Sequence, residues 1–163
     1  MSEILAKISS YDIFNNLVPG AILAFLLAVL EIYTIDTNNI VVDLVVFYFL
    51  GVVVSRIGSL ISEPILRVSH FVRYAEYSAF IAASQKDEKI AVLLEVNNQY
   101  RTFIALMLVT ITSYFGRDTV LYYGFSDKTV KVSLVAGTAV LFVLAYRKQT
   151  SFIKKRVEYQ NKQ

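Results

Sequence analysis

Arg67, His70, Arg73 and Glu76 recur every three residues, a spacing that can place all four on one face of a helix. Two guanidinium groups so arranged could hold an anionic nucleotide or an acidic patch on a protein partner. The imidazole between them could report pH, because an unperturbed histidine titrates near neutrality. The same spacing also serves a solvated helix face, with Arg73 pairing to Glu76 at i,i+3. A second polar cluster, Asn97-Asn98-Gln99-Tyr100-Arg101, stands immediately before an apolar run. It could dock a partner or act as a hinge. It could equally be an interfacial cap from which Tyr100 and Arg101 reach toward water. Arg67, His70, Arg73, Glu76, Asn97 and Asn98 are therefore the candidate partner-binding residues. A third set, Lys154, Lys155 and Arg156, follows the last apolar run. A basic cluster beside a membrane attracts anionic lipid at about 1 kcal/mol per charge. Its shortness and its closeness to the apolar run weigh against nucleic acid as the ligand.

Much chemistry is excluded by residue type. The chain has no cysteine and a single histidine. Disulfides, thiolate-ligated metals and Cys nucleophiles are out, as is a multi-histidine metal site within one protomer. No phosphate-binding glycine loop, nucleophile elbow, metalloprotease or dinucleotide motif occurs in the sequence. Arg67 and His70 stand closer together than the Arg–His pair of HEPN-type ribonucleases, so no nuclease is read. The expectation is a protein that is not an enzyme, with no catalytic, cofactor-binding or metal-binding residues and no cofactor.

The elements that carry these residues are apolar. Of 163 residues, 56% are hydrophobic and 18% charged, against roughly 45–50% and 25% in soluble domains. Mean hydropathy is +0.54. The fold class expected is all-α, integral membrane, with four transmembrane helices over residues 17–33, 40–57, 103–115 and 130–146. Residues 1–16 read as an interfacial helix whose apolar face is Ile4, Leu5, Ile8, Tyr11 and Phe14. No small-residue cleavage site follows the first apolar run, so that run is read as a span and not as a secretory signal. Pro19 suits a first helical turn.

Residues 62–101 read as a cytoplasmic helical hairpin between spans two and three. Ser62-Glu63-Pro64 resembles a helix start, and the arms would be long extensions of the two spans. Residues 147–163 form a basic tail. Basic residues concentrate before span one, in the hairpin and in the tail. The segments between spans one and two and between spans three and four carry only Arg117, Lys128 and Lys131. The positive-inside rule then puts the N- and C-termini and the hairpin in the cytoplasm. Glu31 and Asp43 fall near the outer interface, where Arg117, Lys128 or Lys131 could pair with them.

Small residues recur at four-residue spacing: Gly20, Ala24 and Ala28 in span one, Gly51, Ser55 and Ser59 in span two, Ser133 and Gly137 in span four. Such faces let helices approach closely in lipid. They could pack one bundle or join protomers, and a homo-oligomer is the expectation. Tyr48, Thr110, Thr112, Ser113 and Thr138 are the polar residues available to line a pore.

The start Tyr11-Asp12-Ile13-Phe14-Asn15-Asn16-Leu17-Val18-Pro19-Gly20, the stretch from Arg56-Ile57-Gly58 through Asn97-Asn98-Gln99-Tyr100-Arg101 and the basic tail resemble a known group. They are similar to small four-span bacterial inner-membrane proteins of phage-defence loci, such as the membrane subunit of the Kiwa system and CRISPR-associated membrane accessory proteins. The resemblance implies a membrane component of an antiviral system that senses membrane perturbation or scaffolds a cytoplasmic protein partner. The alternative is a homo-oligomeric pore that permeabilises the inner membrane.

Overall fold

A computed structural model describes the backbone of residues 2–161 and the side chains of residues 13–161. Among the described residues the chain is all-helical. The helices are α1 (Ser2–Val29), α2 (Ile40–Ile57), α3 (Glu63–Val68), α4 (Tyr77–Lys86), α5 (Lys89–Tyr122) and α6 (Asp127–Gln160), with a π-helical turn, Gly58–Ser62, joining α2 to α3. Three continuous stretches are long and apolar enough to cross a membrane: Ile40–Val68, Lys89–Tyr122 and Asp127–Gln160. A shorter apolar helical stretch covers Ile13–Val29. These segments are rich in β-branched residues, which are mediocre helix formers in water. In lipid the backbone must satisfy its own hydrogen bonds, and a helix does so within the segment.

Local signals set several helix starts. Asn39 Oδ1 accepts from the backbone N–H groups of Val41 (3.0 Å) and Val42 (3.4 Å), capping α2. Ser126 Oγ accepts from Thr129 N–H (3.1 Å) at the start of α6. Asp87 Oδ1 accepts from Lys89 N–H (2.9 Å) just before α5.

The core is formed by α1, α2 and α5. Leu23, Val54, Ala105 and Leu106 are buried there, flanked by Ile22, Leu26, Ile57 and Phe103. α1 and α2 are in backbone contact. A Cβ on Gly20 would overlap the Phe47 carbonyl oxygen, and one on Gly51 would overlap that of Asn16. α5 is tied to α1 at both ends: Gln99 Nε2 donates to Asn15 Oδ1 (2.6 Å), and Arg117 Nη1 donates to the Glu31 carbonyl (2.6 Å). α1 and α5 therefore run in the same direction, and α2 runs against them. α6 returns from α5 after residues 123–126 and lies against α2 and the π turn. Phe142 stacks on Phe49 with ring centroids 6.1 Å apart, and Ala145 is the one buried residue of α6.

The structure departs from the sequence expectations in three places. α1 runs through the junction expected at residues 16–17, with Pro19 inside the helix. The expected apolar face of Ile4, Leu5, Ile8 and Tyr11 lies outside the described side chains, and Phe14 is exposed. α3 does begin at Glu63, with Pro64 in its first turn, but it continues α2 through the π turn instead of starting afresh. Ser62 keeps helical angles (φ −64°, ψ −45°), makes no side-chain cap, and is buried. The axis instead passes through the π turn.

The long two-armed hairpin is also broken. α3 ends at Val68, because His70 takes a left-handed conformation (φ 58°). Ser69 Oγ and Val72 N–H both donate to the Leu66 carbonyl, closing the helix end. Histidine is enriched in that region of backbone space, so the stop needs neither Gly nor Pro. Residues 71–76 are non-helical, and α4 follows as a separate short helix.

Candidate functional site

Pro64 has no N–H, and its ring would clash with the Leu60 carbonyl in an uninterrupted α-helix. The chain accommodates it by widening into the π turn, where Glu63 N–H reaches back five residues to the Gly58 carbonyl. An inserted residue rotates everything beyond it by about 100° about the axis. Such turns recur at functional positions.

Glu63 sits where α2, α5 and α6 converge. Its Oε2 accepts from Arg101 Nη1 at 2.8 Å and from Lys148 Nζ at 3.1 Å. The Lys148 ammonium also donates to the Ser59 carbonyl (2.6 Å) and to Ser59 Oγ (2.8 Å). All three of its protons are thereby used. The Glu63, Arg101 and Lys148 side chains are only 11%, 19% and 26% exposed. Two cations share one carboxylate, so the cluster carries a net positive charge. Gly58 permits the close approach of α5: a Cβ there would lie 3.1 Å from the Arg101 carbonyl. Ser62 Oγ and Arg101 Nε are buried without a hydrogen-bond partner among the described residues. The Asn15–Gln99 bond brings α1 to the same end of the bundle.

At 1.5 Å per residue the cluster lies about 32 Å along α5 from Tyr122 and about 32 Å along α6 from Asp127. Glu63 lies about 34 Å from Ile40 along α2 and the π turn. The hydrocarbon core of a bilayer is about 30 Å thick. Three ionised side chains thus meet one bilayer thickness from the far ends of their helices. The chemistry available is electrostatic clamping. Among the described residues no three His, Asp or Glu side chains gather to hold a metal ion.

The residues singled out in the sequence are distributed differently. Arg67 closes α3, with its guanidinium carbon 5.3 Å from the centre of the Tyr74 ring. His70, Arg73 and Glu76 stand in the non-helical connection. The four do not share a helical face, because the helix carrying them ends at Val68. Asn97 and Asn98 lie on α5. The Asn98 carbonyl accepts from Thr102 Oγ1 (2.9 Å), and the Asn97 side chain is exposed.

Of the small residues, Gly20, Ala24 and Gly51 lie buried at or beside the α1–α2 contact, while Ala28 and Ser55 are half-buried. Gly137 faces open space. Lys154, Lys155 and Arg156 ride on the last turns of α6, where Lys154 approaches Glu158 at 3.8 Å.

Neither Glu31 nor Asp43 forms an ion pair among the described residues. Arg117 binds the Glu31 backbone carbonyl, Asp43 accepts from Thr37 N–H and Oγ1 (3.1 and 2.8 Å), and Lys131 pairs with Asp127 at 2.6 Å. Thr37 and Asp127 are close along the chain, so these local bonds cost less ordering than the longer pairings expected.

Sequence reading missed Glu63 and Lys148 and took Arg101 for a solvent-seeking cap residue. Their common distance from the far helix ends was the available signal. Neither protein-family models, nor curated proteins, nor solved structures show a match to the chain.

Proposed function

We propose that this chain is a four-span inner-membrane protein, with its termini and the connection between α3 and α5 in the cytoplasm. We further propose that it acts by interaction rather than chemistry, as the membrane component of a bacterial antiviral system. The observation that carries the reading is the depth of the Glu63–Arg101–Lys148 cluster. A charged clamp belongs where headgroups and water can reach it, and each of its helices extends one hydrocarbon thickness beyond it in the other direction. The basic residues of the connection and of the α6 end lie beyond that same level, as the positive-inside rule requires of a cytoplasmic face.

α1 supports the fourth span. It is tied to α5 at the level of Gln99 and again at Arg117, about 27 Å apart along α5. The antiviral role is supported by the resemblance of the 11–20 start, the middle stretch and the basic tail. In that role α6 is the element suited to respond to membrane perturbation. It buries one residue and is latched to the bundle through Lys148. Helices in lipid gain nothing from the hydrophobic effect on association, so polar latches and close packing hold them.

The open space at Gly137 leaves room for a second protomer to pack. Against a pore stands the local use of the α5 hydroxyls. The hydroxyls of Thr110 and Thr112 donate to carbonyls of their own helix at 2.8–3.0 Å, and Thr110 is buried. The test is a mild-detergent pull-down of the tagged protein from its host, with native mass spectrometry of the eluate. A stoichiometric soluble partner is expected. A partner-free homo-oligomer that conducts in liposomes would replace this reading with the pore.

A further inference from the structure

Below the clamp the chain carries a feature that the bundle does not use. α3 continues outward from Glu63 for about 8 Å to Val68. The hydrocarbon core of a bilayer is about 30 Å thick and the whole bilayer about 40–45 Å, which leaves a headgroup layer about 5–8 Å deep on each side. The turn after α3 therefore emerges within or just beneath that layer.

At this depth the chain exposes apolar side chains that a water-facing loop would not. Val68 is 80% exposed and Phe71 82% exposed, with Ile65 and Tyr74 also uncovered. Arg67 and Arg73 flank them, and the Arg67 guanidinium stands over the Tyr74 ring. His70, held at φ 58°, turns the chain so that α3 stops here instead of carrying on into the cytoplasm. Lys154, Lys155 and Arg156 reach a similar depth on α6, about 9–12 Å beyond Lys148.

We propose that residues 67–74 form a membrane-surface anchor. Val68 and Phe71 insert among the headgroups of the cytoplasmic leaflet, and Arg67 and Arg73 bind the phosphates of anionic phospholipid. The inference rests on the cytoplasmic placement of this connection proposed above. Two features select a lipid surface over a soluble partner. The exposed apolar side chains sit at headgroup depth, and the arginines within the segment, Arg67 and Arg73, match the anionic leaflet, with the exposed Glu76 standing beyond its end. An aliphatic and aromatic tip with flanking arginines is also how interfacial segments generally seat themselves. Through α3 the segment is continuous with Glu63 and the clamp.

The test exploits the absence of cysteine from the chain. Val68→Cys in the full-length protein is labelled with an environment-sensitive fluorophore. The protein is reconstituted in phosphatidylcholine vesicles with or without phosphatidylglycerol. Nitroxide-headgroup lipid should quench the label several-fold more strongly in the anionic vesicles. Iodide added to the water should quench it several-fold less than a label at Asn161→Cys. Phe71→Ser, and separately Arg67→Gln with Arg73→Gln, should each reverse both effects at least in part.

Free access of iodide and indifference to nitroxide lipid would overturn the anchor. So would self-quenching that rises with protein density while nitroxide has no effect, since a second copy would then cover the loop. Impermeant maleimide applied to labels at Asn38→Cys and Asn161→Cys tests the topology separately. Same-side labelling would sink the four-span reading whatever the probe at residue 68 reports.

Discussion

Glu63→Gln removes one charge and leaves two cations facing each other. The carboxylate lies 2.8 Å from Arg101 Nη1 and 3.1 Å from Lys148 Nζ, so the two nitrogens are no more than about 6 Å apart. At an effective dielectric constant near 20 the two attractions amount to about 6 and about 5 kcal/mol gross, and the repulsion between the cations to at least about 3 kcal/mol. Most of the attraction is spent on desolvating three ions. What a substitution reads is the cost of leaving cations unpaired, about 3–5 kcal/mol for a fully buried pair. With side chains 11–26% exposed, the lower end applies, and we expect about 2–3 kcal/mol from Glu63→Gln.

Lys148→Met should cost less, about 1–2 kcal/mol, because Glu63 keeps Arg101. The double variant should cost less than the two effects added, with a coupling of about 1–2 kcal/mol. Detergent-driven unfolding in mixed micelles measures all three. Cross-linking of Phe49→Cys to Phe142→Cys with a flexible bismaleimide, at positions whose rings now stack with centroids 6.1 Å apart, reports whether α6 stays in place. Losses below about 0.5 kcal/mol with strict additivity would refute the clamp as what holds α6, as would unchanged cross-linking in Lys148→Met.

Gly51→Ala should force α1 and α2 apart, because its Cβ would overlap the Asn16 carbonyl. A loss of about 3 kcal/mol or more in the same unfolding assay is expected, beyond ordinary overpacking. Gly137→Ala meets nothing within 4 Å and should stabilise the monomer by about 0.5–1 kcal/mol through helix propensity. If it instead weakens the assembly on native mass spectrometry, a second protomer packs at that glycine. Arg117→Leu removes the bond to the Glu31 carbonyl and should raise hydrogen exchange at residues 30–33 by several-fold while leaving the α5 core protected. Asn39→Ala should cost about 1 kcal/mol through loss of the α2 cap, measured as a lower unfolding midpoint.

Several features were legible in the residues alone. Apolar length is a one-dimensional property, and the demand that a chain satisfy its own backbone in lipid turns it directly into helices. That is why the apolar runs within 40–57, 103–115 and 130–146 all emerged as helix, and why α5 starts well before Phe103, in the polar stretch that precedes it. The Gly20 and Gly51 faces were visible for a similar reason, since a missing side chain marks where backbones can meet.

The clamp was decided by tertiary structure. Glu63 finds partners 38 and 85 residues away along the chain, and Lys148 reaches Ser59 across 89. Which side chain meets which depends on the rotational phase of each helix. The π turn at Gly58–Ser62 resets that phase by an inserted residue that no local pattern announces. The exit at His70 likewise rests on a single left-handed residue, closed by Ser69 and Val72 onto one carbonyl. Spacing along a helix transmits a face only as far as the helix continues. Arg67, Arg73 and Glu76 lost their common face where α3 stopped, and Glu63, Arg101 and Lys148 came together because three helices reach the same depth.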